Sequence, residues 1–289
     1  MQKLSLPTDE QGVNLVARQV FDLCISKVKN ADLKRRFRAI SQQVHESSLK
    51  YDAAVASKRA HKIIPSLQLG GVSQEELLTV YNQRMVGSNA PGRKVYDRIL
   101  SAAPLELCPL CGLGSVMSLD HHLPKSEFPI LCVTPNNLVP ACEGCQRAKR
   151  EQYPSKDSEQ TLHPYFDDSQ SSVWLQAKVV GPFPAVFKYF VDPLASFDRL
   201  TIKRLEHHMK VFDLPKRFSV QAAQEGQSIR LDLMDLHQNG GASAVRAHLR
   251  RLALNRELLC KNSWRTAFYR AASKSDWFCE GGFDLRTAV

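Results

Sequence analysis

The sequence has no long apolar run: the ~18 consecutive apolar residues that a membrane span needs occur nowhere in it. Its opening, Met1 to Gly12, lacks the apolar stretch that follows the charged start of a secretory signal, which argues against export. Internal repeats and low-complexity tracts are also missing, so repeat arrays and fibrous architectures drop out. Acidic residues are the scarce charge. Against 39 Lys and Arg stand 29 Asp and Glu, a formal net charge of +10 over 289 residues. That excess favours a polyanionic partner and leads to the expectation of a cytoplasmic protein that meets nucleic acid. With 43% hydrophobic and 24% charged residues, a wholly disordered chain is excluded as well.

Cysteine is dilute, with eight residues, but half of it is ordered in sequence. Cys108 and Cys111 form one C-x-x-C pair, and Cys142 and Cys145 form another, with residues 112–141 between them. A C-x-x-C knuckle converges two thiolates on one ion, and two knuckles complete a tetrahedral zinc site. The alternative is a pair of redox or accidental motifs. Pro109, Gly112 and Gly144 are the turn-forming flanks of knuckles, which supports zinc. Cys24, Cys132, Cys260 and Cys279 read as small buried hydrophobes.

Along the chain, residues 8–60 carry a helical apolar period, opened by Thr8 and Gln11 at capping-box spacing. Leu33, Phe37, Ile40, Val44, Tyr51 and Ala54 share one face, and Arg35, Arg36 and Arg38 lie elsewhere on the same helix. That basic face is either a solvated surface or a nucleic-acid contact. Pro65, Gly70 and Gly71 mark a boundary, and Ser73 to Glu76 forms a second capping box before a helix through Leu77 and Tyr81. Lys94–Ala102 reads as a short helix, and 105–145 as a metal-organised ββα unit. Val173–Val180 and Phe183–Val191 predict a hairpin around Gly181 and Pro182. Helices follow: one through Leu200 and Met209, one over Ile229–Leu236, and a basic one over Ala242–Ala272 with Arg246, Arg250 and Arg251. The expected fold class is α+β, mainly α, with a small zinc-stabilised core and a β-hairpin. The expected division is a helical arm over 1–65, a domain over 73–167, and a hairpin plus helical region over 168–289.

Between the cysteine pairs runs Leu119-Asp120-His121-His122-Leu123-Pro124-Lys125-Ser126, followed by Asn137-Leu138-Val139-Pro140 and, after the second pair, Gln146 and Lys149. This segment resembles the HNH endonucleases of the ββα-metal class, closely over residues 106–150. The resemblance implies that Asp120 is a metal-ligand carboxylate and that His121 is the general base for the attacking water. It implies that Asn137 braces the loop between the strands and that Lys149 neutralises a phosphate oxygen. The residue after the last cysteine completes the metal site in that family as His or Asn, whereas here it is Gln146. Its amide oxygen can coordinate; His163 offers an alternative ligand, or a structural residue packed on the core. A second register, with His121 as ligand and His122 as base, stays open.

The chemistry of the residues agrees with those roles. Imidazole accepts a proton near neutrality, and hard divalent ions such as Mg²⁺ or Mn²⁺ take carboxylate oxygen, while thiolates take Zn²⁺. The expectation is a metal-dependent endonuclease acting on DNA, with RNA as the alternative substrate. The layout is similar to stand-alone HNH proteins of bacterial anti-phage systems, which implies an ATPase or other defence partner. The alternatives are a zinc-stabilised nucleic-acid-binding module with a degenerate centre, and an adaptor whose basic faces meet an acidic protein.

Overall fold

The structure is a computed structural model and describes residues 2–181, 185–192 and 194–284. The chain divides into two compact units, Lys3–Asp167 and a C-terminal one from Asp168 onward.

In the first unit the helix expected from residue 8 begins only at Ala17. Asp9 is the reason: its Oδ1 accepts from the amides of Gln11 and Val13, both at 2.9 Å, and Thr8 bridges to Asn14. The side chain thereby offers the backbone a turn in place of a helix. The first two helices are α1 (Ala17–Ile25) and α2 (Ala31–Ala56), and Asn30 caps α2 by accepting from the Leu33 amide at 2.9 Å. The Ser73–Glu76 capping box forms and opens α3 (Gln74–Asn82); α4 (Arg93–Ser101) follows. Gly92 permits α4 to start against α1, since a Cβ there would sit 2.6 Å from Cys24 Sγ.

These helices share one apolar core. It joins Phe21, Phe37, Ile40 and Val44 to Leu77, Val80, Tyr96 and Ile99, and on to Leu119 and Leu138. Residues 3–65, which hold most of the expected arm, fall in the same compact unit as 73–167. Within that unit β1 (Ser118–His121) pairs antiparallel with β2 (Leu138–Ala141), Asp120 opposite Val139, and α5 (Glu143–Lys149) follows at once.

The second unit holds the antiparallel pair β3 (Leu175–Val180) and β4 (Val186–Val191). Pro182 and Phe183 of the expected hairpin lie outside the described residues. Four helices come next: α6 (Arg199–Val211), α7 (Leu214–Ser228), α8 (Arg230–Leu259) and α9 (Trp264–Lys274). The sequence pattern does not signal α7, and the expected helix Ala242–Ala272 is divided between α8 and α9. Asn262 breaks it. Its buried Oδ1 accepts from the amides of Trp174 and Leu175 at 2.8 and 3.1 Å, and Ser263 then caps α9. The fold is α+β, mostly helical, with two small antiparallel sheets. Among the described residues no helix is long and apolar enough to cross a membrane.

Candidate metal centre and adjoining polar site

Two tight turns bring the cysteines together. Gly112 donates to the Cys108 carbonyl at 2.7 Å and adopts a φ of +65°, and Cys145 donates to the Cys142 carbonyl at 3.1 Å. Gly114 lies so close that a Cβ would come within 2.9 Å of Cys142 Cβ. The Sγ atoms of Cys108, Cys111, Cys142 and Cys145 all fall within 4.8 Å of one another, and all four residues are buried. Tetrahedral zinc with Zn–S bonds near 2.3 Å separates its sulfurs by about 3.8 Å. Cys111 and Cys142 stand 3.7 Å apart, so the set fits a closed structural zinc site. The four thiols hydrogen-bond to one another, which lowers the pKa of Cys142 and Cys111 and raises that of Cys145 and Cys108; zinc would take all four as thiolates. None of the four is in a disulfide.

From this cluster β1 leads away beneath α5. The strand repeats every two residues and the helix every three to four, so Ser118 and Asp120 on one strand face meet Gln146 and Lys149 on one helix face. The Gln146 amide donates to Ser118 Oγ at 2.6 Å and to the Ala141 carbonyl at 3.4 Å. It is thus turned to Ser118 and is not brought to Asp120. Lys149 takes that place. Its Nζ donates to the His121 carbonyl at 2.7 Å and lies 3.5 Å from Asp120 Oδ2, with its side chain only 3% exposed. Burial pushes the Asp120 carboxyl above its ordinary value, and the nearby ammonium opposes that shift. Among the described residues the four cysteines are the one set of three or more His, Cys, Asp or Glu donors close enough to share an ion.

His121 points to the other face, into the core, edge-on to Tyr81 with ring centroids 4.5 Å apart. Its Nε2 lies 2.8 Å from the carbonyl oxygen of Cys132. A carbonyl only accepts, so the proton sits on Nε2 and Nδ1 keeps its lone pair. Burial lowers the imidazole pKa to about 3, which keeps the ring neutral at neutral pH.

His122 falls on the Asp120 side, and both its nitrogens are engaged. Nδ1 meets the Tyr51 hydroxyl at 3.3 Å and Nε2 meets Thr161 Oγ1 at 3.5 Å. Its ring packs 4.4 Å from that of His163. In His163, Nδ1 accepts from the Tyr165 amide at 3.2 Å and Nε2 meets the same Tyr51 hydroxyl at 3.0 Å. His163 is thus packed on the core and engaged through both ring nitrogens. Asn137 is fully buried and spans the loop after β1: Oδ1 accepts from the Leu123 amide at 2.8 Å, and Nδ2 donates to the carbonyls of Leu123 and Leu131. Tyr51, Tyr81, Ser118, Thr161 and the Cys132 carbonyl join this site without being marked as site residues by the sequence. None lies at a motif position, and Tyr51 comes from 71 residues before His122.

Of the basic clusters, part is neutralised internally. Arg36 forks onto Glu76 at 2.6 and 2.7 Å, Arg35 pairs with Asp32 at 2.6 Å, and Arg246 pairs with Asp276 at 2.7 Å. Arg38 and Arg250 are exposed and have no carboxylate partner among the described residues.

Over 171 residues the chain is 30% identical to Protein ea31 of Escherichia phage lambda, an alignment covering 57% of each protein. The chain thus spans little more than half the length of that relative. No protein-family profile matches the chain, and no solved structure does.

Proposed function

We propose that residues 106–150 carry a metal-dependent HNH-type endonuclease centre that hydrolyses phosphodiester bonds in DNA. The observation that supports this reading is the tautomer imposed on His121, whose Nε2 contact to the Cys132 carbonyl leaves Nδ1 as a proton acceptor on the residue that follows Asp120 in β1. In the reaction Nδ1 takes a proton from water as the water oxygen bonds to phosphorus. The bond from phosphorus to the sugar oxygen then breaks. An approaching phosphodiester anion raises the imidazole pKa from its buried value. Asn137 and Lys149 are positioning residues: one braces the loop that carries the Cys132 segment, the other holds the strand end at the His121 carbonyl.

The Asp120 carboxylate fits Mg²⁺ or Mn²⁺, because such ions settle for one or two carboxylates, waters and substrate phosphate oxygens. The bound ion would supply charge stabilisation at the leaving oxygen. Gln146 would contribute its amide oxygen, its nitrogen being held by Ser118. Similarity to a phage protein is in keeping with a setting in phage–host conflict, where a partner such as an ATPase would restrain the cutting. RNA remains the alternative substrate.

A second reading is favoured by one contact. Lys149 occupies the space over Asp120 that a cation would use, as expected of a zinc-stabilised nucleic-acid-binding or adaptor protein with a degenerate centre. Incubating supercoiled plasmid with protein and Mg²⁺ or Mn²⁺ separates the two. Nicked or linear product that disappears in Asp120→Asn supports the nuclease, and binding with unbroken plasmid at every metal concentration supports the second reading.

A further inference from the structure

A cavity of about 590 Å³ opens on the first unit, within the size range of ligand pockets. Phe128, Ile130 and Leu131 form its floor, and the outer face of α2 around Ala54 forms a wall. Its rim carries Lys50, Arg59 and Lys62. All three cations are exposed and have no carboxylate partner among the described residues, and no acidic side chain lines the cavity. Ile64 of the lining is 84% exposed, and Leu67, close to it in sequence and outside the lining, is 49% exposed.

An apolar pit ringed by unpaired cations is complementary to apolar side chains flanked by carboxylates. A small enclosed ligand would fill the pit but leave Leu67, outside the lining, bare. A segment laid across the mouth covers the pit and Leu67 together. An amphipathic helix does this with side chains at i, i+3 or i+4, and i+7, while its acidic face meets the rim.

We propose that this cavity docks an acidic amphipathic segment of a partner protein. The proposal is independent of the nuclease reading. Its test is fluorescence anisotropy of the full chain with a labelled helical peptide bearing leucines on one face and glutamates on the other. The control is the same peptide with lysine for glutamate. The glutamate peptide should bind, and the lysine peptide should bind at least tenfold more weakly. Ala54→Trp, which fills the pit from a half-buried helix position, should raise the Kd at least tenfold, as should Lys62→Glu on the exposed rim. No binding of the glutamate peptide, equal binding of both peptides, or unchanged affinity in Ala54→Trp and Lys62→Glu would overturn the proposal.

Discussion

His121 and Cys132 are joined by a single hydrogen bond, Nε2 to the carbonyl oxygen at 2.8 Å, and that bond decides which imidazole nitrogen carries the proton. Long-range ¹H–¹⁵N correlation of the histidine rings reads the tautomer directly. His121 should show a protonated Nε2 and a bare Nδ1 at neutral pH. A protonated Nδ1 would mean that the ring is not held as described.

The cysteine cluster predicts a metal that resists dialysis. Elemental analysis should find one zinc per chain, and Cys111→Ser or a strong chelator should melt the first unit, whose short strands and α5 bury little apolar surface of their own. Folded protein without zinc would contradict the assignment.

Lys149→Met should destabilise the protein. The substitution strands the His121 carbonyl and leaves the Asp120 carboxylate without its cation, a loss of about 2–4 kcal/mol for a broken, mostly buried pair. Adding Asp120→Asn should restore part of that loss, because the unpaired charge is then gone. Urea unfolding of the two single variants and the double variant measures the coupling, and strict additivity would show that the pair does not interact.

Asp52 gives the pH dependence of stability. Its Oδ1 is buried without a partner, Oδ2 accepts from Asn136 at 2.8 Å, and burial raises the pKa from 3.8 to about 6. A raised folded-state pKa means that the native protein binds the proton more tightly than the unfolded chain. This contribution is therefore full below pH 3.8 and is lost as pH rises towards about 6. Asp52→Asn should raise the Tm at pH 7 by about 2 °C or more and change it little at pH 4. An equal shift at both pH values would assign the effect to packing.

Legibility in the sequence followed the range of the interactions. The two C-x-x-C pairs, the Ser73–Glu76 cap and the strand–strand–helix order around Asp120 depend on near neighbours, and a local pattern encodes them. The start of α1 was lost to a competing local bond from Asp9, which propensity does not rank. The break before α9 depends on Asn262 reaching Trp174, 88 residues away, and no window of sequence contains that contact. The polar site divides in the same way. Lys149 comes to Asp120, whereas the His121 ring turns to the opposite strand face, Gln146 donates to Ser118, and His163 contacts Tyr51 and Tyr165. Those partners were available only once the helices had packed.

The central claim is that His121 is the proton acceptor of a phosphodiester hydrolase. The direct measurement is the initial rate of supercoiled plasmid nicking in Mg²⁺ by wild type and His121→Ala, with zinc content and Tm recorded for both. The account predicts metal-dependent nicking by wild type and a loss of about 10²–10⁴-fold in the variant, with zinc retained and folding intact. Equal rates in the two folded proteins, or no nicking by wild type at any Mg²⁺ or Mn²⁺ concentration, would contradict it.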